Sequence, residues 1–210
     1  MRTTLAILMY TTLVLAPAQA GGPAKGVVEL FTSQGCSDCP PADAALSKII
    51  DGGGYLALAW HVDYWDRLGW KDTFSSPTAT ARQERYATHI GGGSYTPEFV
   101  VNGVRGSSRS ESVLGSGLAV DVSVSDGHAH IGAGSGDATV MLVSFIPVAS
   151  VPIGRGENAG RTVTYRHVVT GVHSIAEWHG QAITVAAAGN NCAVVLQRPG
   201  QGEIIGAAQC

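Results

Sequence analysis

Apolar residues in the first half of the chain alternate between continuous runs and helical spacing. One continuous run covers residues 26–32, and a second extends from Tyr55 to Val62. Runs of this length are typical of buried strands. Between them, apolar residues follow the spacing of one helix face: Ala42, Ala45, Leu46, Ile49 and Ile50. Pro40 suits the first turn of that helix, which needs no N–H donors, and Gly52-Gly53-Gly54 ends it.

A second helix and a third strand follow. Ser76-Pro77 is a helix start signal, a capping residue followed by proline, and Gly91-Gly92-Gly93 marks the end. One face of this helix carries Ala79, Gln83, Tyr86 and Ile90. Glu98 to Val101 has the pattern of a strand, and Asn102-Gly103 is a turn signal. Residues 21–106 are therefore predicted as β-α-β-α-β, an order typical of an α/β sheet with parallel strands.

The pattern changes after about residue 107. Serine and glycine dominate as far as Gly117, and short strand-like segments separated by turn signals follow. These segments are residues 118–124, 128–132, 138–147, 161–170, 181–188, 192–197 and 203–208. Val163, Tyr165 and Val169 share one face of the fourth segment, and such alternation favours a half-buried antiparallel sheet. We therefore predict an α/β domain over residues 21–117 and a smaller antiparallel β-sandwich-like domain over residues 118–210.

The first 20 residues have the composition of a secretory signal peptide. Arg2 supplies the positive end, residues 5–15 form an apolar core, and Ala18-Gln19-Ala20 is a small-residue cleavage site. The apolar core is too short to cross a bilayer as a helix, and no later run is long enough. We expect a mature chain without a membrane span that is secreted or periplasmic, where disulfides persist.

Composition narrows the function further. A net charge of −3 over 210 residues leaves no electrostatic footprint for nucleic acid. Two of the four cysteines, Cys192 and Cys210, are equally distant from Gln201. If Gly200-Gln201-Gly202 is a three-residue hairpin loop, these cysteines face each other across two strands. The spacing leaves open whether they form a structural disulfide or stay as thiols.

The other two cysteines form the motif Cys36-Ser37-Asp38-Cys39, directly after the first strand and before the first helix. Cys-X-X-Cys spacing alone also serves zinc sites and haem attachment. In strand–turn–helix order it is typical of a thioredoxin-like redox site, because the helix N-terminus stabilises a thiolate. We expect Cys36 to be the exposed nucleophile and Cys39 to be the deeper resolving thiol.

Two further segments should lie beside this motif. In thioredoxin-like folds a cis-proline packs against the disulfide, and Thr96-Pro97 stands directly before the third strand. Ligands of open α/β sheets bind at the carboxyl ends of strands, which places the segment from His61 to Trp65 near the cysteines. The predicted catalytic residues are Cys36, Cys39 and Pro97. The predicted substrate-binding residues are Thr96, His61, Asp63 and Trp65.

Two acidic residues bear on this chemistry. Asp38, between the cysteines, disfavours a thiolate and opposes the helix dipole. We therefore expect the pair to be less oxidising than the strongest periplasmic oxidase, whose potential is about −120 mV. Glu29 is a candidate for a buried acid beneath Cys39 if the turn over residues 32–35 holds an extra residue. The alternative for Glu29 is an ordinary polar position at the edge or end of the sheet.

The segment from Gly154 to Arg161 is rich in glycine and polar residues. It lacks the Gly-Lys-Ser/Thr ending of a phosphate-binding loop, and a β-hairpin is expected around it. We interpret it as a turn. Glu157, Asn158 and Arg161 are predicted to fix the interface between the two domains through charged hydrogen bonds.

Several segments together resemble a family of secreted bacterial thioredoxin-like proteins that is known only as a domain of unknown function. They are residues 27–43, 61–66, 69–72, 81–83, 95–97, 101–103, 155–161 and Tyr165. The resemblance covers nearly the whole mature chain. It implies a thioredoxin-like N-terminal domain and a C-terminal β domain, without a settled activity. One departure is the helix that such a sheet has after its third strand, because residues 108–118 are short for it and broken by glycine.

We interpret the chain as an exported thiol–disulfide oxidoreductase that acts on a protein thiol or disulfide and requires no cofactor. The first alternative is a protein that handles copper or another soft metal, with two thiolates and either His61 or His89 as ligands of Cu(I). The second alternative is a non-enzymatic binding module, in which the β domain binds a partner and the Cys36–Cys39 pair braces the fold.

Overall fold

The computed structural model describes residues 22–109 and 117–210. The predicted signal peptide lies outside these residues, and so does most of the segment 108–118, where the family resemblance implies a helix. The helices are α1 (Cys39–Gly52) and α2 (Pro77–Ile90), with short 3-10 turns at Asp66–Leu68 and Pro199–Gln201. The strands are β1 (Gly26–Thr32), β2 (Tyr55–His61), β3 (Glu98–Val101), β4 (Arg105–Ser107), β5 (Val122–Ser125), β6 (His128–Ile131), β7 (Ala138–Pro152), β8 (Thr162–Trp178), β9 (Ile183–Ala186), β10 (Cys192–Gln197) and β11 (Ile204–Gln209).

The helices begin where the local sequence predicts. The hydroxyl oxygen of Ser76 accepts a hydrogen bond from the Ala79 N–H and caps α2 ahead of Pro77. Proline also occupies the first turn of α1, where no N–H donor is needed. Among the described helices, none is both long and apolar enough to cross a membrane.

Eight strands form one large mixed sheet in the order β11-β10-β7-β8-β2-β1-β3-β4. β1 and β2 are parallel, whereas β3 and β4 add antiparallel strands on the other side of β1. β8 lies beside β2 with Val168 opposite Ala59, so strands from the second half of the chain continue the sheet of the first half. β7 pairs antiparallel with both β8 and β10.

A smaller antiparallel sheet has the order β5-β6-β9. Its inward residues, such as Val122 and Ile131, share a core with Val140, Trp178 and Leu196 of the large sheet. The two sheets therefore pack face to face in this region, as the alternation of the second half predicts. The chain is a mixed α/β protein with a large mixed sheet and a smaller antiparallel sheet.

A disulfide joins Cys192 to Cys210, with their Cα atoms 5.2 Å apart. The β10–β11 register confirms that the two cysteines face each other, because the next residues inward, Ala193 and Gln209, are also opposite. The predicted three-residue loop is wrong, however. The register shifts after Leu196, and the connection between the strands contains a 3-10 turn.

The two helices lie on opposite faces of the large sheet. Val28 and Leu30 of β1 share a core with Leu46 of α1. Val27 and Phe31 share a different core with Tyr86 of α2. Because side chains of a strand alternate between faces, the odd-numbered residues of β1 face α2 and the even-numbered ones face α1.

This alternation places Glu29 on the α2 face. Its carboxylate accepts hydrogen bonds from Arg82, at 2.6 Å from Nε, and from the Tyr86 hydroxyl. Arg82 also donates to the side-chain oxygen of Gln197 at the end of β10. Glu29 therefore joins α2, β1 and β10, and the hypothesis that it lies beneath Cys39 is wrong, because α1 covers the other face.

We predict that Glu29→Gln destabilises the protein by about 3–5 kcal/mol, because it leaves the buried Arg82 guanidinium without a counter-charge. Urea denaturation at pH 7 measures this change. Glu84→Gln, an exposed position on α2, is the control and should stay within about 0.5 kcal/mol of the unmodified protein. Equal losses in the two variants would contradict the importance of the ion pair.

Candidate functional site

The Cys-X-X-Cys motif lies at the carboxyl end of β1 and forms the start of α1. The Cys36 N–H donates to the Ser33 carbonyl oxygen and the Cys39 N–H to the Cys36 carbonyl oxygen, which makes a tight turn before the helix. Cys39 is the first residue of α1. A disulfide joins Cys36 and Cys39, with their Cα atoms 5.4 Å apart. The motif therefore has the position that the strand–turn–helix order predicts.

Both cysteines are buried. Cys36 is 1% exposed and Cys39 is 0% exposed, whereas Ser37 and Asp38 between them are exposed. The expectation that Cys36 is an exposed nucleophile is therefore wrong for this conformation. The physical reason is a contact with a distant part of the chain.

Residues 153–161, which we call the cover loop, connect β7 to β8 and lie over the cysteine turn. The Asn158 side-chain amide donates to the carbonyl oxygens of Cys36, at 2.7 Å, and Gln34, at 3.0 Å. The Glu157 carboxylate accepts a hydrogen bond of 3.1 Å from the Ser37 N–H. These bonds confirm the predicted contacts of Glu157 and Asn158 between the two halves of the chain. Arg161 instead donates to the Asn158 side-chain oxygen within the loop.

Trp65 connects the Thr96-Pro97 segment to residues 33–36, the turn before α1 that we call the cysteine turn. Its indole N–H donates to the Thr96 hydroxyl oxygen at 2.8 Å, and the Thr96–Pro97 peptide bond is cis, as expected. A side chain at Gly35 would come within 3.2 Å of the Trp65 Cβ, so glycine allows this close approach. The structure thus brings Trp65, Thr96 and Pro97 together beside the motif.

Asp63 and His61 have different surroundings at the carboxyl end of β2. Asp63 is held by Thr80 of α2, whose hydroxyl donates to its carboxylate at 2.6 Å. His61 is buried between the rings of Phe74 and Tyr165. His61 is the last residue of β2, with its imidazole inside the protein, and Asp63 follows the end of the strand as predicted.

The imidazole of His61 belongs to a buried polar cluster beneath the motif. Its Nδ1 lies 2.7 Å from Oδ2 of Asp72. The Asp72 carboxylate also accepts hydrogen bonds from the backbone N–H groups of Gln34 and Phe74. The bond to this carboxylate holds the imidazole ring through Nδ1 and leaves Nε2 directed away from Asp72.

Asp43 completes the cluster. It follows Cys39 by one helical turn, so its side chain lies on the same face of α1. Thr32 and His61 are opposite each other in the β1–β2 register and point to that face. Burial raises the pKa of the Asp43 carboxyl to about 7, and His61 and Thr32 lower it in part.

The cluster has unsatisfied hydrogen-bonding capacity. Among the residues that the structure describes, both Asp43 carboxyl oxygens, the Thr32 hydroxyl and Nε2 of His61 have no hydrogen-bond partner of ordinary geometry. A buried carboxyl without partners costs stability, and groups with strongly perturbed pKa values cluster at functional sites. Asp43 was missed by the sequence analysis. The signal for it was its spacing of four positions from Cys39, which the pattern of apolar residues along α1 does not reveal.

No group of three potential metal-ligating side chains lies together within residues 22–109 and 117–210. His89 is near the end of α2, about 20 Å along the helix axis from its first residue. The first residue of α2 is at the carboxyl end of β2, because the Ser76 N–H donates to the His61 carbonyl oxygen. His89 is therefore at the opposite end of the sheet from the cysteines.

Comparison with known proteins identifies a family. Residues 27–197 match the family model described as protein of unknown function DUF1223. The crystal structure of protein AGR_C_4864 from Agrobacterium tumefaciens is 33% identical, with a TM-score of 0.76; the match covers 89% of this chain and 93% of that one. HBP35 of Porphyromonas gingivalis has a similar fold at 12% identity and a TM-score of 0.56, over 90% of this chain and 75% of that one.

None of the curated proteins matches the sequence. The family match extends from β1 to β10 and so includes the cysteine turn, the buried cluster and the cover loop. The chain belongs to the DUF1223 family of proteins of unknown function.

Proposed function

We propose that this protein is an exported thiol–disulfide oxidoreductase whose redox centre is the Cys36–Cys39 pair. The observation that carries the proposal is the position of this disulfide. It closes the first turn of α1 directly above the buried carboxyl of Asp43. A helix N-terminus stabilises a thiolate, and a buried acid with a pKa near neutrality can exchange a proton with a thiol.

The arrangement of the first strands supports a thioredoxin-like fold for residues 21–117. The order β2-β1-β3-β4 combines a parallel pair with two antiparallel strands. α1 and α2 cover opposite faces, and the motif is at the carboxyl end of β1, where ligands of open α/β sheets bind. The two disulfides support export, because such bonds persist outside the cytoplasm.

The proposed reaction transfers two electrons between dithiol and disulfide. The Cys36 thiolate attacks one sulfur of a substrate disulfide, forms a mixed disulfide and releases a substrate thiolate. The Cys39 thiolate then attacks the Cys36 sulfur, which restores the Cys36–Cys39 bond and releases the second substrate thiolate. The released thiolates take up the protons that the two cysteines have lost. Oxidation of a substrate dithiol follows the same steps in reverse.

Asp43 is the proposed acceptor of the Cys39 proton. It is one helical turn below Cys39, and its pKa of about 7 allows it to lose or take a proton near neutral pH. Nε2 of His61 lies on the same face without a hydrogen-bond partner, and Asp72 holds the ring by its Nδ1. The aromatic rings of Phe74 and Tyr165 pack against the His61 imidazole.

Pro97 and Thr96 are the proposed substrate-binding edge. Both are partly exposed beside the cysteine turn, to which Trp65 connects them. A protein segment that lies along Thr96 can form backbone hydrogen bonds there while its sulfur approaches Cys36.

Mixed-disulfide trapping tests the proposal. We expect reduced Cys39→Ser protein to form a glutathione adduct at Cys36 when oxidised glutathione is added, because no resolving thiol remains. Reduced Cys36→Ser protein should react more slowly at Cys39, which lies in the helix above the buried cluster. Peptide mass mapping measures both adducts and separates them from Cys192 and Cys210. Absence of any adduct at Cys36 would contradict the proposal.

We also predict that Asp43→Asn changes the pH dependence of stability. The native state keeps the Asp43 proton up to about pH 7, whereas the unfolded chain loses it near the ordinary pKa of 3.8. The unfolding free energy of the unmodified protein therefore falls as the pH rises through this window. Asparagine cannot ionise, so the variant should gain about 3–4 kcal/mol relative to the unmodified protein between pH 4 and pH 8.

Urea denaturation at several pH values measures this relative gain. Asp121→Asn, an exposed carboxylate remote from the motif, is the matched control and should follow the unmodified protein at every pH. If Asp43→Asn also follows the unmodified protein, Asp43 is an ordinary acid and cannot serve as the proton acceptor.

A further inference from the structure

We propose that the cover loop is a latch that controls access to the Cys36–Cys39 disulfide, with Asn158 as the residue that holds it closed. This inference rests on the exchange chemistry proposed above. In this structure the cover loop is closed. Redox partners are selected by whether they can reach Cys36 when the loop opens.

Between the ends of the cover loop, Asn158 is the one buried residue. It is 1% exposed, whereas residues 154–157 and 159–161 on either side are exposed. Both hydrogen bonds that its amide nitrogen donates end on carbonyl oxygens of the cysteine turn, at Gln34 and Cys36. The loop is therefore attached to the motif mainly through one amide group, which a single local motion can release.

The loop is also a self-contained unit. The Ile153 N–H donates to the Arg161 carbonyl oxygen, and the Gly160 N–H donates to the Ile153 carbonyl oxygen, both at 2.8 Å. These bonds close the loop at its base without using the motif. Gly156 and Gly160 have φ angles of 77° and 82°, which glycine adopts without strain. The loop can thus keep its own shape while it leaves the cysteine turn.

Trp70 seats the loop in the closed position. A Cβ atom at Gly156 would come within 3.1 Å of the Trp70 Cβ, so the glycine backbone rests directly against this residue. The Trp70 indole N–H donates to the Gln34 side-chain oxygen at 2.9 Å, which fixes the ring beside the same turn. The contact surface under the loop is therefore preformed, and opening does not require the turn to rearrange.

Closure affects both access and charge at the motif. An attacking thiolate must reach a sulfur of the disulfide, and Cys36 is 1% exposed in the conformation in which Asn158 is bonded to its carbonyl oxygen. The Glu157 carboxylate also occupies the Ser37 N–H near the start of α1. This negative charge opposes the effect of the helix N-terminus, so release of the loop both uncovers Cys36 and favours its thiolate.

Reduction rates test the latch. The Cys36–Cys39 disulfide of the unmodified protein, Asn158→Ala and Asn190→Ala is reduced with dithiothreitol and, separately, with reduced thioredoxin as a protein-sized dithiol, and it is followed separately from the Cys192–Cys210 disulfide by peptide mass mapping. Asn190→Ala is the matched control, because Asn190 is exposed and precedes β10, which β7, β8 and β2 separate from β1. We expect Asn158→Ala to speed reduction of Cys36–Cys39 by the protein about tenfold, with a smaller gain for dithiothreitol, and Asn190→Ala to change neither rate.

Each outcome decides between the two proposals. If the unmodified protein exchanges reversibly with glutathione but Asn158→Ala is reduced no faster, the latch is wrong and the oxidoreductase proposal stands. If neither protein exchanges at all, both fail. Should Asn158→Ala not fold, Gly156→Ala keeps Asn158 but places a Cβ atom within 3.1 Å of the Trp70 Cβ, a contact made only in the closed position, and it should also speed reduction by the protein. An unchanged rate there would overturn the latch.

Discussion

The pairing of β8 beside β2 is the constraint on which the rest of the structure depends. Without it, β2 would be an edge strand with unpaired backbone groups. The long β7–β8 hairpin covers that edge, with Tyr165 against His61 and Arg166 bonded to Asp51 near the end of α1. Because β8 enters the sheet beside the carboxyl end of β2, the loop before it lies over the cysteine turn. The position of β8 thus gives a continuous sheet, a buried polar cluster around His61 and a buried disulfide.

Buried carboxyl groups on the two faces of the sheet differ in whether they have a counter-charge. On the α2 face, Glu29 is paired with Arg82 and bonded to Tyr86, and the group serves packing between helix and strands. On the α1 face, Asp43 has no counter-charge in hydrogen-bond contact, and burial raises its pKa to about 7. The Arg82 guanidinium compensates the charge of Glu29, whereas Asp43 has no such partner and can exchange a proton near neutral pH. This contrast is why the proposed chemistry lies beneath α1.

Local patterns in the sequence predicted what depends on neighbours along the chain. Ser76-Pro77 marks the start of α2, and the run at residues 26–32 coincides with β1. The order of strand, cysteines and helix placed the motif correctly. Equal spacing about Gln201 showed that Cys192 and Cys210 face each other, although a register shift lengthened the loop between them. Alternation along β1 would also have placed Glu29 on the face turned away from α1, once it was known which helix covers which face.

Contacts between distant segments could not be predicted in the same way. The side chain that donates to the Cys36 carbonyl oxygen is 122 positions away at Asn158, and no local periodicity connects the two. The bond from Asp72 to His61 likewise depends on how the aromatic loop after β2 folds back. Burial of the cysteines and the buried cluster are therefore properties of the tertiary fold, and they modify the simple expectation of an exposed nucleophile.

The central claim is that the Cys36–Cys39 pair is a working redox centre, and its reduction potential tests this most directly. The pair is equilibrated with glutathione buffers of different ratios, and free thiols are then trapped and counted at each cysteine. The account predicts reversible exchange with a potential between about −270 and −120 mV. A pair that never exchanges, or whose potential lies far below about −300 mV, would show a structural disulfide and contradict the account.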